Sequence, residues 1–375
     1  MIKLLIFLFT SAQIVALGAS TKGACLNVYQ SSANSTQFRF SPEFGSAKNV
    51  IFSLANLHPL VLTSQTEIIR NMLKTTSNNV VLLYGENSPL AEWQKEVYKI
   101  LGPLNLKEKQ KLKFVPTTAT NLSWARDFSP AVVTNGKETR LVSFRYSKDE
   151  PLAMRTAEEL ALQFNLPTPT YPDLFVDGGA YMIDSQGRLF ISDVVKTRNK
   201  TAALKFMFKN QGPDAFILDQ KRPLVPKTDK EIEDVLKMSL GAREVIWIKA
   251  LNPEFEKTGH IDMYAKIVNT KQAVVAQSRN PEVEIYLKQI AEAFEKYGYQ
   301  VKRLQLAKQS VFGFRSYTNS TIVENTVFLP QYKDSRADKA AIAAYTSFGF
   351  KVVTNDGSSI ECGGSTHCLT GIGPE

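Results

Sequence analysis

From about residue 48 to its end, the chain alternates short apolar runs with longer amphipathic stretches, and neither kind gives way to the other. Val50-Ile51-Phe52 and Val80-Val81-Leu82-Leu83 have the length and composition of strands. Residues 60–74 and 90–101 carry apolar side chains at helical spacing, and the second stretch meets a Gly102-Pro103 break. The alternation continues with a strand at 141–146, a helix at 154–164 ended by Asn165 and Pro167, and a hairpin of 180–183 with 188–191 across Ser185-Gln186-Gly187. A helix at 231–240 and strands at 245–249, 265–269 and 272–277 come next. The helix 283–297 stops at Gly298, and strands at 300–304 and 321–329, a helix at 336–348 and a strand at 351–354 close the series. Such a pattern requires a mixed α/β fold. No Gly/Ser-rich or Pro-rich linker interrupts it, so residues 41–375 are expected to form a single domain. With 43% hydrophobic and 22% charged residues in 375, the chain can bury a large core. Simple periodicity does not reveal an internal repeat.

The start of the chain has a different composition. Met1-Ile2-Lys3, an apolar stretch over 4–9 and 14–17, and the small residues Gly18, Ala19 and Ser20 read as a signal peptide over residues 1–19. Residues 20–40 would be an N-terminal extension, and the expected location is secreted or periplasmic. The apolar stretch is too short for a membrane span, and Lys22, three residues before Cys25, argues against a lipid anchor there.

Lys and Arg total 45 against 36 Asp and Glu, a net charge of +9, but the basic residues are dispersed. The densest run, 107–113, is broken by Glu108 and reads as a solvated face. Neither a zinc-finger spacing nor an aromatic-basic signature occurs, so a nucleic-acid partner is not expected.

With 3 cysteines and 3 histidines, a disulfide scaffold and a four-thiolate metal site are excluded, and each Cys or His can be weighed singly. Four segments carry chemistry. The first, Trp124-Ala125-Arg126-Asp127, fits a packed loop with a local ion pair as well as a site. In Asp177-Gly178-Gly179 the glycines permit close backbone approach or a plain turn. Gly259-His260-Ile261-Asp262, read as strand, puts an imidazole and a carboxylate on one face. Gly363-Gly364-Ser365-Thr366-His367-Cys368 brings a cysteine in behind a glycine-rich approach, where a thiolate could act as nucleophile. A thiol protease would need one polar group to orient its histidine. A planar, cationic guanidinium needs carboxylates on its nitrogens, and Asp127 and Asp262 favour the latter. No spacing closes a tetrahedral metal site, and no cofactor is called for.

In this order the four segments resemble the agmatine deiminase and bacterial (Porphyromonas-type) peptidylarginine deiminase family. Residues 316–319 through Asn325, followed by 327–332, fit the same pattern, and the similarity spans about 50–374. The resemblance implies a five-bladed α/β propeller (pentein) built of pseudo-repeats. It implies Cys368 as nucleophile, Asp127 and Asp262 on the guanidinium nitrogens, and His260 protonating the departing ammonia and then activating water. Asp177, where relatives usually carry Glu, would orient His260; Asn319 would line the pocket beside Trp124. Ala180 and the ending Thr370-Gly371-Ile372-Gly373-Pro374 depart from the agmatine deiminase pattern. Together with the signal peptide, that makes arginine in peptides or proteins the expected substrate and citrulline the product. Arg140 and Arg145 are candidates to grip a substrate carboxylate. Agmatine, giving N-carbamoylputrescine, is the alternative, and a catalytically inactive guanidine-binding protein a second. Cys25 and Cys362 remain as the pair that an exported chain could oxidise.

Overall fold

The computed structural model describes residues 38–40, 42–43, 48–54, 58–85, 89–117, 123–146, 150–200, 225–309 and 314–375. The expected signal peptide, nearly all of the N-terminal extension, and Cys25 with its expected pairing lie outside the described residues.

One stretch shows how the sequence builds its unit. Strands β10 (Ala265–Ile267) and β11 (Gln272–Gln277) pair antiparallel. The Asn269 side chain closes the turn between them by accepting from the N–H groups of Lys271 and Gln272. Asn280 then caps helix α8 (Pro281–Lys296), with Pro281 in the first turn where its missing N–H costs nothing. The helix buries Val283, Leu287, Ile290, Ala291 and Phe294 in the core, and the larger of these contribute about 1.5–3 kcal/mol each. Gly298, at φ 86°, turns the chain back into β12 (Gln300–Gln305), which pairs parallel to β11 from Gln272↔Gln300 to Gln277↔Gln305.

An antiparallel step followed by a helix and a parallel step recurs throughout. β7 (Tyr181–Ile183) and β8 (Arg188–Ser192) pair antiparallel, and β9 (Glu244–Ile248) joins parallel beyond helix α7 (Asp229–Leu240). β13 (Thr321–Val323) and β14 (Thr326–Gln331) are followed by α9 (Ser335–Ser347) and the parallel β15 (Lys351–Asp356). β16 (Gly371–Gly373) pairs antiparallel with β2 (Asn49–Ser53). Beyond α1 (Pro59–Thr75), β3 (Asn79–Gly85) is parallel to β2; beyond α2 (Leu90–Leu101) and α3 (Leu106–Lys111), β4 (Leu112–Thr117) extends that sheet. The last unit pairs β1 (Arg39–Phe40), β5 (Ala131–Thr134) and β6 (Thr139–Val142) antiparallel, and beyond α5 (Glu150–Gln163) Thr170 bridges parallel to Val142. The described residues thus form five sheets.

This arrangement gives five loops an equivalent place, just before the first antiparallel strand of a unit. Asp127 precedes β5, Asp177 precedes β7, His260 and Asp262 precede β10, Asn319 precedes β13 and Cys368 precedes β16. The repeat that periodicity hides is a repeat of strand pairings, and the candidate site residues sit at its equivalent positions.

Three expected elements differ. The apolar run 321–329 is two strands, because Glu324 adopts a left-handed φ of 54° and folds the run on itself. The strand expected over 141–146 ends at Val142, with Arg145 making only an isolated bridge to Phe175. Residues 261–263 form a 3₁₀ turn rather than strand, so the face shared by His260 and Asp262 arises from a turn. Among the described residues no helix is long and apolar enough to cross a membrane.

Candidate active site

The five loops converge near Gly179. A Cβ built there would lie 2.6 Å from His260 Nδ1, 3.0 Å from Asp127 Oδ1 and 3.1 Å from Asp262 Oδ2. Three functional side chains therefore crowd a point that only glycine leaves open. Its neighbour Gly178 packs against the carbonyl of Arg126 too closely for any side chain. The glycine pair of the second segment is thus explained by close approach rather than by a positive φ.

His260 lies between two carboxylates, with Nε2 3.1 Å from Asp177 Oδ2 and Nδ1 3.4 Å from Asp127 Oδ1. Burial alone would depress the imidazole, but the charges of Asp127 and Asp177 and the bond to Asp177 outweigh it and raise the ring to about 9. Asp177 is held in turn by Arg198 of helix α6 (Val194–Arg198), whose Nη1 donates to Oδ2 while Nη2 donates to the Thr258 carbonyl at 3.0 Å. Burial opposes the Asp177 charge, yet Arg198 and His260 keep its carboxyl far below the usual carboxylate range. Asp127 accepts from the Gly179 N–H at 3.2 Å.

Cys368 is 3% exposed, and its Sγ lies 3.1 Å from Asn319 Nδ2 and 3.7 Å from Asp262 Oδ2. Desolvation first, and then the negative charges of Asp262 and Asp127, push its thiol well above the ordinary value. Asn319 does more than line a pocket. Its Oδ1 accepts from the N–H groups of Ser365, His367 and Cys368 at 3.1–3.3 Å, so one buried amide shapes the loop that presents the sulfur. Gly364 permits that loop to pass the ring of Trp124, since a Cβ there would come within 2.7 Å of the indole and 2.8 Å of the Cys368 Cβ. Trp124 thus backs the cysteine loop.

Asp262 is 1% exposed. Its Oδ2 is 2.6 Å from His367 Nδ1, while its Oδ1 has no hydrogen-bond partner among the described residues. A buried carboxylate oxygen without a donor is costly, and the N–H of a cationic ligand would satisfy it. On its other edge His367 places Nε2 2.6 Å from Glu43 Oε2. The sequence reading assigned no role to His367 and did not consider Glu43 at all. Nothing local marks a glutamate 324 positions from the histidine it touches.

Arg145 pairs with a carboxylate of the protein. It is buried, ion-paired to Asp173 at 2.7 Å and set over the Phe175 ring, and it fixes the strand that leads to Asp177. Arg140 is exposed and pairs with Glu138. Both arginines expected to grip a substrate carboxylate thus have a carboxylate partner within the protein. Cys362 has no disulfide partner among the described residues, and its Sγ lies 3.4 Å from His58 Nδ1. A cavity of about 240 Å³ adjoins the site through Thr258, Met263 and Gly363, with Phe255, Phe314 and Ile360 among its apolar walls and Lys257 its one basic lining residue.

Comparison with known proteins agrees with this geometry. Residues 214–374 match the family model of Porphyromonas-type peptidyl-arginine deiminase. A protein of Latilactobacillus sakei named "Putative agmatine deiminase" is 26% identical over 174 residues, 42% of this chain and 40% of its own length. One of the same name in Lactococcus lactis is 22% identical over 67% of this chain and 74% of its own. The agmatine deiminase of Enterococcus faecalis superposes with a TM-score of 0.70 at 18% identity, covering 90% of this chain and 96% of that one. The structure named as a putative arginine deiminase of Porphyromonas gingivalis does so at 0.68 and 20%, covering 90% and 98%. At those identities the structural likeness is one of fold, the α/β pentein fold. The C-terminal part of the chain is thus similar to Porphyromonas-type peptidyl-arginine deiminases, and a larger share of it to proteins named as putative agmatine deiminases.

Proposed function

We propose that this chain hydrolyses the guanidinium group of a small cationic substrate, agmatine, to the ureido product and ammonia through a covalent intermediate on Cys368. The observation that carries this reading is the meeting of Cys368, His260, Asp127 and Asp262 around Gly179, with one Asp262 oxygen lacking a donor. Two carboxylates near one point suit a planar cation with N–H groups on several edges.

The thiol begins protonated, because burial and two carboxylates oppose a third negative charge. A bound guanidinium neutralises those carboxylates, so the thiol gives up its proton to solvent and the thiolate forms at the moment it is needed. Sulfur attacks the guanidinium carbon and forms the C–S bond. His260, protonated at neutral pH, gives its proton to the departing nitrogen as the C–N bond breaks, and ammonia leaves. The now neutral imidazole takes one proton from water, whose oxygen adds to the same carbon; as the C=O bond forms the C–S bond breaks, and the second water proton passes to sulfur, which restores the thiol. Asp177, fixed by Arg198, keeps His260 oriented between the two steps.

Arginine in peptides is the second reading, favoured by the signal-peptide character of residues 1–19. Arg145 and Arg140 are engaged by Asp173 and Glu138, and the curated relatives carry the agmatine name, so agmatine comes first. We further read the chain as exported, with the catalytic domain over 41–375, and the five sheets as blades of a closed five-bladed propeller; the recurring pairing pattern supports the last. Ammonia release from agmatine, free arginine and arginyl peptides tests the function. Turnover of peptides with agmatine inert would reverse the substrate order, and no ammonia from any of the three would overturn the reading.

A further inference from the structure

The mechanism above leaves unused a buried group of charges next to Asp262. Glu43, at the N-terminal edge of the described fold, accepts from Lys266 Nζ at 3.0 Å and from the Ile322 N–H at 3.1 Å, touches His367 Nε2 at 2.6 Å, and has Arg126 Nη2 3.9 Å away. Each contact belongs to a different part of the site. Arg126 adjoins Asp127, Lys266 lies in the strand that follows Asp262, Ile322 lies in the strand that follows Asn319, and His367 adjoins Cys368. A single carboxylate thus ties together four of the five site-bearing segments. His367 is 2% exposed and lies 2.6 Å from a carboxylate oxygen on each of its ring nitrogens.

We propose that His367 and Glu43 are positioning residues for substrate binding. Glu43 fixes His367, and His367 holds one oxygen of Asp262 so that the other, which has no donor among the described residues, is presented to the guanidinium. The choice of ligand rests on the deiminase reading; the hydrogen-bond relay does not. The N-terminal segment thereby becomes part of the site: residues 42–43 complete it from outside the five repeating units.

Two substitutions separate positioning from structural filling. His367→Asn keeps a donor where Nδ1 faces Asp262, and His367→Gln keeps one where Nε2 faces Glu43. In a Cys368→Ala background, which binds without turnover, calorimetry should find the agmatine Kd raised about tenfold or more by His367→Gln and by less than about threefold by His367→Asn. Thermal unfolding should show similar losses of stability for both. Aspartate 13C-carboxyl spectra without ligand should show the Asp262 signal shifted in His367→Gln and native-like in His367→Asn. Equal affinities and an unmoved Asp262 signal in both variants would overturn the proposal. If the parent protein bound no guanidine while the Asp262 signal still sorted the two variants, the relay would stand and the deiminase reading alone would fail.

Discussion

Two buried imidazoles sit in this site, each between two carboxylates, and they are built differently. His260 meets Asp127 and Asp177 at 3.4 and 3.1 Å, the longer contacts of the two histidines. His367 meets Asp262 and Glu43 at 2.6 Å on both edges, which leaves neither nitrogen free for a ligand. Their surroundings differ in the same sense. Arg198 braces the carboxylate behind His260, while Lys266, Arg126 and a backbone N–H converge on the carboxylate behind His367. The same pair of residue types thus gives one group that can move a proton and another that holds a third group still. An imidazole between acids is no sign of acid–base catalysis until its free capacity has been counted.

The strongest way to break this comparison is to remove the groups it serves. Cys368→Ala should lower ammonia release by at least about 10⁴-fold, as losing a nucleophile does in other covalent enzymes. His260→Ala should cost about 10²–10⁴-fold in kcat, the range of a general acid–base group. His260 also predicts a pH limb. Its folded value of about 9 exceeds its ordinary 6.5, so the protonated acid is present below that value and kcat/KM should fall as pH rises through about 9. Asp177→Asn removes part of what raises the ring, so the limb should move to lower pH; an unmoved limb would mean that another group titrates.

Stability should sense the same charges. His260 stabilises the fold fully below 6.5 and loses that contribution as pH rises through about 9. Glu43, Asp177 and Asp262, all depressed from their ordinary values, contribute above about 4.5 and lose it as pH falls through their lower folded values. A plot of Tm against pH should therefore peak between about 5 and 6.5. A steady rise from pH 6 to 9 would contradict the assigned charges.

Gly179→Ala is the geometric probe. Its methyl must displace His260, Asp127 or Asp262, and a misplacement of even 1 Å can cost about 100-fold in kcat/KM. Thermal unfolding alongside the kinetics separates displacement from misfolding. Arg145→Met should have the least effect on turnover, within about twofold, while losing about 1–3 kcal/mol of stability because Asp173 forfeits a buried partner. A selective loss of activity in that variant would return Arg145 to the pocket.

Most of the fold was legible because helix and strand periods are local properties. Helix α2 runs from Leu90 to Leu101 as its apolar spacing predicts, and α8 stops before Gly298. What local pattern could not give is the strand pairing that relates the five sheets, since residues such as Gly371 and Ile51 pair across most of the chain. The site divides along the same line. Asp127, Asp177, His260, Asp262, Asn319 and Cys368 were named from short segments, and the structure brings them together. Glu43 carries no motif, and His367 looked like a bystander to Cys368; their role lies in contacts that only the folded chain creates. Arg145 shows the converse, since a cation offered to a substrate is indistinguishable in sequence from one that pairs with Asp173.

The central claim is that Cys368 forms a covalent bond to a guanidinium carbon and that His260 is needed to release it. Acid-quenching His260→Ala protein with agmatine and mapping the adduct by mass spectrometry tests this most directly. The account predicts an amidino adduct confined to the peptide that contains Cys368, absent from Cys362 and from Cys368→Ala protein. Turnover by the Cys368→Ala protein, or an adduct on any other residue, would contradict it.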